Sequence, residues 1–169
     1  LWAVLAALGL TACGSDSPTA TVATSSDRGT LVDDPPLRVA SLNAADFAAQ
    51  LGATSSGQQL LQLAGTPACG VDFYYIKYWT AAPAGSTTLV SGALMVPSGA
   101  APQCSGPRPI VLYAHGTTAD SAYNIADISD TSNSANSEAA MIAAIFAAQG
   151  YIVVAPNYAG YDFSNLGYH

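Results

Sequence analysis

The sequence predicts an α/β fold in which an antiparallel hairpin is followed by a parallel βαβ unit. Three observations carry this. The run Val71 to Thr80 is aromatic and β-branched, and a second strand-like run, Thr88 to Pro97, follows after a turn-length segment, Ala81 to Thr87. Ile110 to Ala114 and Tyr151 to Ala155 are short and uniformly apolar, the pattern of strands buried on both faces of a parallel sheet. Between those two runs lies a stripe of helical period.

Taken in order from Leu37 to Gly65, the spacing predicts two short helices. Phe47 and Leu51 form one stripe, Leu60, Leu61 and Ala64 another, with a break near Gly52 to Gly57. Asp72 to Trp79 is the core of the first strand. Its rings are expected to pack a twisted outer strand on a neighbouring one, because the cations that interleave a base-stacking surface are absent. The second strand, Leu89 to Val96, ends at Pro97, which cannot donate to a ladder. Pro102, Pro107 and Pro109 mark a loop, and the apolar strand from Ile110 stops abruptly at His115-Gly116. Thr117 to Asn136 is polar and turn-rich without an element of its own, and loops of that length in compact domains are functional or disordered. Ser134 or Ser137 is expected to cap a helix presenting Met141, Ile142, Ile145 and Phe146 on one face, with Gly150 just past its end. The last strand is closed by Pro156. The crossover joining the two apolar strands is expected to be right-handed.

With 169 residues, half of them hydrophobic, the chain has material for one core. Four Lys and Arg stand against eleven Asp and Glu, a formal net charge of −7. The cations Arg28, Arg38, Lys77 and Arg108 are scattered, so no basic stripe can neutralise a run of phosphates. Nucleic acid and anionic lipid surfaces are disfavoured as partners on this ground.

Leu1 to Leu10 is an apolar run of the length of a signal-peptide core, too short to span a bilayer. Leu10-Thr11-Ala12-Cys13 resembles the bacterial lipobox, which implies lipidation at Cys13. Residues 14 to 36 are rich in Ser, Thr, Asp, Ala and Pro and lack the apolar periodicity that would offset the entropy of ordering them. Residues 1–12 are therefore read as part of a signal peptide, 13–36 as a disordered tether and 37–169 as the folded portion. The expected location is the cell envelope, exported and lipid-anchored with the outer membrane favoured, or secreted. Gly14 stands where an Asp would resemble an inner-membrane retention signal.

With Cys13 assigned to lipid, Cys69 and Cys104 remain, an even number in an exported chain. A hairpin brings the start of its first strand beside the end of its second, and so the two cysteines within reach of a disulfide. Metal binding is the alternative, disfavoured because no histidine lies near either of them.

Two segments carry chemistry: Tyr113-Ala114-His115-Gly116-Thr117-Thr118, and Ala155-Pro156-Asn157-Tyr158-Ala159-Gly160-Tyr161-Asp162. Each follows an apolar strand. Together with the order of hairpin then crossover, they resemble the opening of the α/β-hydrolase fold, over Val71 to the end, and within it the bacterial secretory-lipase-like esterases. The resemblance implies acyl transfer to a serine. The N–H of Thr117 would then donate to the developing oxyanion, Gly116 would let the backbone approach, and His115 would position the loop without acting as the base. Tyr158, Gly160 and Tyr161 would lie at the substrate mouth. Asp162 falls too early in the family order of serine, acid and histidine to be the triad acid.

No Gly-x-Ser-x-Gly occurs in the sequence. The resemblance places that elbow after the next strand, which leads to the expectation that this is the amino-terminal part of a longer hydrolase, with an incomplete sheet, and does not turn over esters alone. His169, the last residue, cannot be assigned to any site. The expected partner of the parent enzyme is a small-molecule or lipid ester, the membrane is engaged only through the lipid anchor, and no cofactor or metal is called for. Asp120, Asp127 and Asp130 do not follow the spacing of a helix-loop-helix calcium site and are read as a solvated loop. A non-catalytic surface lipoprotein that binds a ligand or partner through its aromatic hairpin is the competing reading, and a peptidase or polyester depolymerase of the same fold is a third.

Overall fold

The computed structural model describes residues 27–82, 85–164 and 166. The expected signal segment, Cys13, the first part of the tether and His169 lie outside the described residues.

Five strands, Leu37–Leu42 (β1), Gly70–Ala81 (β2), Thr87–Ser98 (β3), Ile110–Leu112 (β4) and Ile152–Pro156 (β5), form one mixed sheet in the order β1-β2-β3-β5-β4. Three helices accompany it, Ala44–Gly52 (α1), Ser55–Ala64 (α2) and Asn136–Ile145 (α3). The expected hairpin is present, with β2 and β3 antiparallel in unbroken register from Gly70↔Ser98 to Ala81↔Thr87. β4 and β5 are parallel, Ile110 opposite Ile152 and Leu112 opposite Val154, and α3 lies in the connection between them. The remaining pairs, β1 with β2 and β3 with β5, are antiparallel.

Alternate residues of each strand point to one face, and that parity builds the core. Val71, Phe73, Ala93, Met95, Val153 and Ala155 are fully buried against Phe47 of α1 and Ala139, Ile142 and Ala143 of α3. Phe47 meets Phe73 edge-on, ring centroids 6.5 Å apart. The alanines of α3 allow a close approach to the sheet. Gly92 does the same within it, because a Cβ there would lie 2.7 Å from the Ala155 carbonyl oxygen of β5. Cys69 and Cys104 are disulfide-bonded with Cα atoms 5.4 Å apart, at the hairpin end where the strand order puts them.

The structure corrects several expectations. Leu37 to Leu42 is a strand absent from the sequence reading; its alternation is masked because Leu37 and Val39 on its outer face are as apolar as Ala40 and Leu42, yet 60% and 43% exposed. A register shift between Arg38 and Ala40 interrupts this edge, which blunts it against further pairing. The two expected helices are present, each begun by a side-chain cap: Asn43 accepts from the Asp46 N–H and Thr54 from the Gly57 N–H. Neither Ser134 nor Ser137 caps α3. Its N-cap is Ala135, without a side-chain bond, and its buried residues are Ala139, Ile142, Ala143 and Ala144, while Met141, Ile145 and Phe146 are only half-buried. The alanine-rich face wins because the sheet is close.

The end of the expected tether is also part of the structure: Leu31 bridges Tyr78, the Gly29 N–H donates to the Trp79 carbonyl, and Lys77 pairs with Asp33 at 3.2 Å. β4 is not buried on both faces, since Ile110 and Leu112 are 69% and 73% exposed. β5 inserts between β3 and β4 and leaves β4 at the edge.

Candidate active site

β4 and β5 run in the same direction, so the segments leaving their carboxyl ends, from Tyr113 and from Asn157, emerge on the same side of the sheet. In α/β sheets this is where ligands bind. Here the two segments interlock around one histidine. His115 is 4% exposed and its ring lies between those of Tyr123, at 4.4 Å and 26°, and Tyr158, at 4.0 Å and 18°, with Tyr161 edge-on at 5.3 Å. Its Nδ1 is 2.7 Å from the Gly116 carbonyl oxygen. A carbonyl only accepts, so the proton of this bond is on Nδ1. Nε2 is buried and has no hydrogen-bond partner among the described residues.

The backbone around Gly116 is gripped from the other segment as well. The Tyr158 hydroxyl donates to the His115 carbonyl at 2.8 Å, and the Tyr161 hydroxyl to the Thr118 carbonyl at 2.7 Å. Behind the histidine, Glu138 of α3 accepts from both Tyr113, at 2.6 Å, and Tyr123, at 2.9 Å. Burial first, and then the bond to this carboxylate, push the Tyr113 phenol up to about 12 and the Tyr123 phenol higher still. Glu138 thereby ties the helix to the stack that holds His115.

A second network lies at the base of the same two segments. Asn157 directly follows β5 and is 1% exposed. Its Nδ2 donates to Ser91 Oγ at 2.9 Å and Asn124 Oδ1 at 3.1 Å, and its Oδ1 accepts from the Ile125 N–H at 3.0 Å. Asp162 accepts from Tyr75, at 2.5 Å, and from Ser91, at 2.7 Å. Its backbone φ of 56° is the sole positive value at a non-glycine residue among those described, a conformation Asp tolerates better than most side chains. The carboxylate's hold on β2 and β3 compensates that backbone cost.

Of the sequence-predicted residues, His115, Gly116, Thr117, Tyr158, Gly160 and Tyr161 lie together on the two segments that follow β4 and β5. His115, Gly116 and Thr117 form the turn after β4, where His115 is buried and Gly116 and Thr117 are exposed. Tyr158 is 36% exposed beside them. Tyr161, 7% exposed, and Gly160 are buried, and the Tyr161 hydroxyl faces the loop backbone. Sequence reasoning missed Asn157, Ser91, Asn124, Tyr75 and Glu138 as anchors. For Asn157 a signal existed, a polar residue directly after an apolar strand and a proline; the others have none within their own neighbourhoods.

The long polar loop from Thr117 is ordered by its own side chains. Asp120 accepts from Ser134 at 2.6 Å, Asp127 from Ser129 and Asp130 from Ser132, so these carboxylates close local turns. The bond from Ser134 holds Asp120, and that from Ser132 holds Asp130, below the usual carboxylate range. A cleft of about 270 Å³ opens between this loop and the strands, lined by Val39, Tyr75, Asn124, Ala126, Asp127 and Ser129. It touches neither Gly116 nor Thr117.

No family model and no curated protein matches the chain. Among solved structures, a ligand-bound form of the rice cell wall degrading esterase LipA from Xanthomonas oryzae is similar with a TM-score of 0.65 and 29% identity, over 84% of this chain and 32% of that one. Another crystal structure of the same esterase gives a TM-score of 0.62 at 29% identity, over the same 84% and 32%. A Legionella pneumophila protein assigned as a hydrolase shares the fold with a TM-score of 0.58 at 22% identity, over 82% of this chain and 33% of that one. The chain thus spans about a third of the length of these solved structures. Its five-stranded sheet is similar to part of the fold of a bacterial esterase.

Proposed function

We propose that this chain supplies the oxyanion-binding part of a serine hydrolase acting on carboxylic esters, with nucleophile, base and acid lying outside it. The observation that carries the reading is the exposed Gly116–Thr117 turn, held at the carboxyl end of β4 by a buried histidine, on a sheet similar to part of an esterase. When a serine attacks an ester carbonyl, charge develops on the oxygen, and a backbone N–H fixed in advance stabilises it without reorganisation. The Thr117 N–H is the donor in this reading. The partner N–H belongs to the residue after the nucleophile. Tyr158 would sit at the mouth, and the substrate is a small-molecule or lipid ester.

The experiment is hydrolysis of p-nitrophenyl esters by the present chain and by the product of its complete reading frame. The expected outcome is turnover by the latter alone, reduced about 100-fold or more in kcat by Thr117→Pro, which removes the N–H. Turnover unchanged by that substitution would sink the assignment of Thr117, and no turnover by either polypeptide would sink the esterase reading. We place the protein in the cell envelope, anchored by lipid at Cys13. Incorporation of labelled palmitate that is lost in Cys13→Ser tests this, and labelling that persists overturns it.

A further inference from the structure

The three hydrogen bonds around Gly116 have a common geometry. The accepting carbonyls belong to His115, Gly116 and Thr118, and each shares a peptide plane with the N–H of the following residue. In a trans peptide the C=O and N–H point in opposite directions, so a donor that grips the oxygen aims the N–H away from itself. The Tyr158 hydroxyl thereby directs the Gly116 N–H, and the His115 ring directs the Thr117 N–H. Neither N–H enters a hydrogen bond among the described residues. Both residues are exposed, and the space a Cβ of Gly116 would occupy is empty to 4 Å.

We propose that Tyr158 and Tyr161 are positioning residues which, with the Nδ1–H form of His115, present two adjacent N–H donors, Gly116 and Thr117, to one anionic oxygen. This rests on the esterase reading for its chemistry, though not for its geometry. Tyr158 grips the peptide that carries the Gly116 donor, whereas Tyr161 grips the Thr118–Ala119 peptide and holds the turn just beyond the Thr117 donor. Both hydroxyls come from the segment after β5, so the donors of the β4 segment are aimed by the neighbouring strand. The same rings flank His115 and keep water from its Nε2, which favours the tautomer that donates to Gly116.

The test compares Tyr158→Phe and Tyr161→Phe in the product of the complete reading frame, since phenylalanine keeps the ring beside His115 and removes only the donor. Each is expected to lower kcat for p-nitrophenyl acetate about tenfold, a fraction of the loss on deleting a donor outright, and to leave KM within about twofold. Residual dipolar couplings of the Gly116 and Thr117 amides should shift in both variants, and ¹⁵N spectra of the parent should show His115 protonated at Nδ1. Parental kcat and couplings in the variants overturn the proposal and leave the esterase reading intact. A parent that hydrolyses no ester overturns that reading, and the couplings then decide the clamp alone: unchanged values reject it. Should Tyr161→Phe unfold the protein, Tyr158→Phe, at the more exposed ring, carries the test by itself.

Discussion

The phenol of Tyr75 donates to the carboxylate of Asp162 at 2.5 Å, across 87 residues of sequence, and so fastens the segment after β5 to the middle of β2. Ser91 of β3 donates to the same carboxylate oxygen at 2.7 Å. These bonds hold Asp162 in its left-handed backbone conformation. Replacing Tyr75 by Phe and Asp162 by Asn, singly and together, should give a coupling of about 1–2 kcal/mol in urea unfolding. Additive single effects would show that the contact contributes nothing of its own.

Stability should fall in alkali, and the tyrosines set where. Burial and then the bond to Glu138 raise the Tyr113 phenol from its ordinary 10.0 to about 12, and Tyr75 and Tyr123 shift the same way, each chiefly through burial. The folded state thus favours the neutral phenol. That contribution is complete below the ordinary value and is lost as the pH rises through the folded one. The urea midpoint should hold up to about pH 9.5 and drop between about pH 10 and 12, and Glu138→Gln should flatten the drop. An equal slope with and without Glu138 would remove this carboxylate from the explanation.

The Cys69–Cys104 bridge spans 35 residues that include the whole hairpin. Closing such a loop removes denatured-state entropy, and the Cys69→Ala, Cys104→Ala pair should lose about 4 kcal/mol of stability by the chain-entropy model. Calorimetry with and without the pair measures it. A loss below about 1 kcal/mol would mean that the hairpin register already confines the reduced chain.

Gly92 is required by the pairing of β3 with β5. A Cβ would sit 2.7 Å from the Ala155 oxygen and 2.8 Å from Pro156 Cα, both backbone atoms that can move only with the strand. Gly92→Ala should therefore cost about 1–3 kcal/mol and speed amide exchange in β5 ahead of β2. Unchanged protection there would show that the strands separate without penalty.

The parts of the fold legible in sequence are those written between chain neighbours. The hairpin, the disulfide beside its ends and the two apolar strands flanking a helix follow from alternation, proline stops and cysteine placement. The His115-Gly116 turn and the Pro156-to-Asp162 segment were legible too, because each is punctuation at a strand end. β1 was not, since an edge strand with apolar residues on both faces shows no usable period. Nor was the interior of the site, because residues such as Ser91 and Glu138 acquire meaning only from what they meet.

By itself the sequence determined the strand-forming segments from β2 to β5, the antiparallel kind of the hairpin and the parallel kind of the β4–β5 pair, and the turn that carries the candidate donors. Tertiary structure alone decided that β5 would separate β3 from β4, that β4 would be the edge, and that the Tyr161 hydroxyl would face the loop backbone. The physical reason is range. Period and punctuation reflect steric preferences over a few residues, whereas sheet order and buried hydrogen bonds depend on partners such as Asn157 and Ser91, 66 residues apart, which only the packed chain brings together.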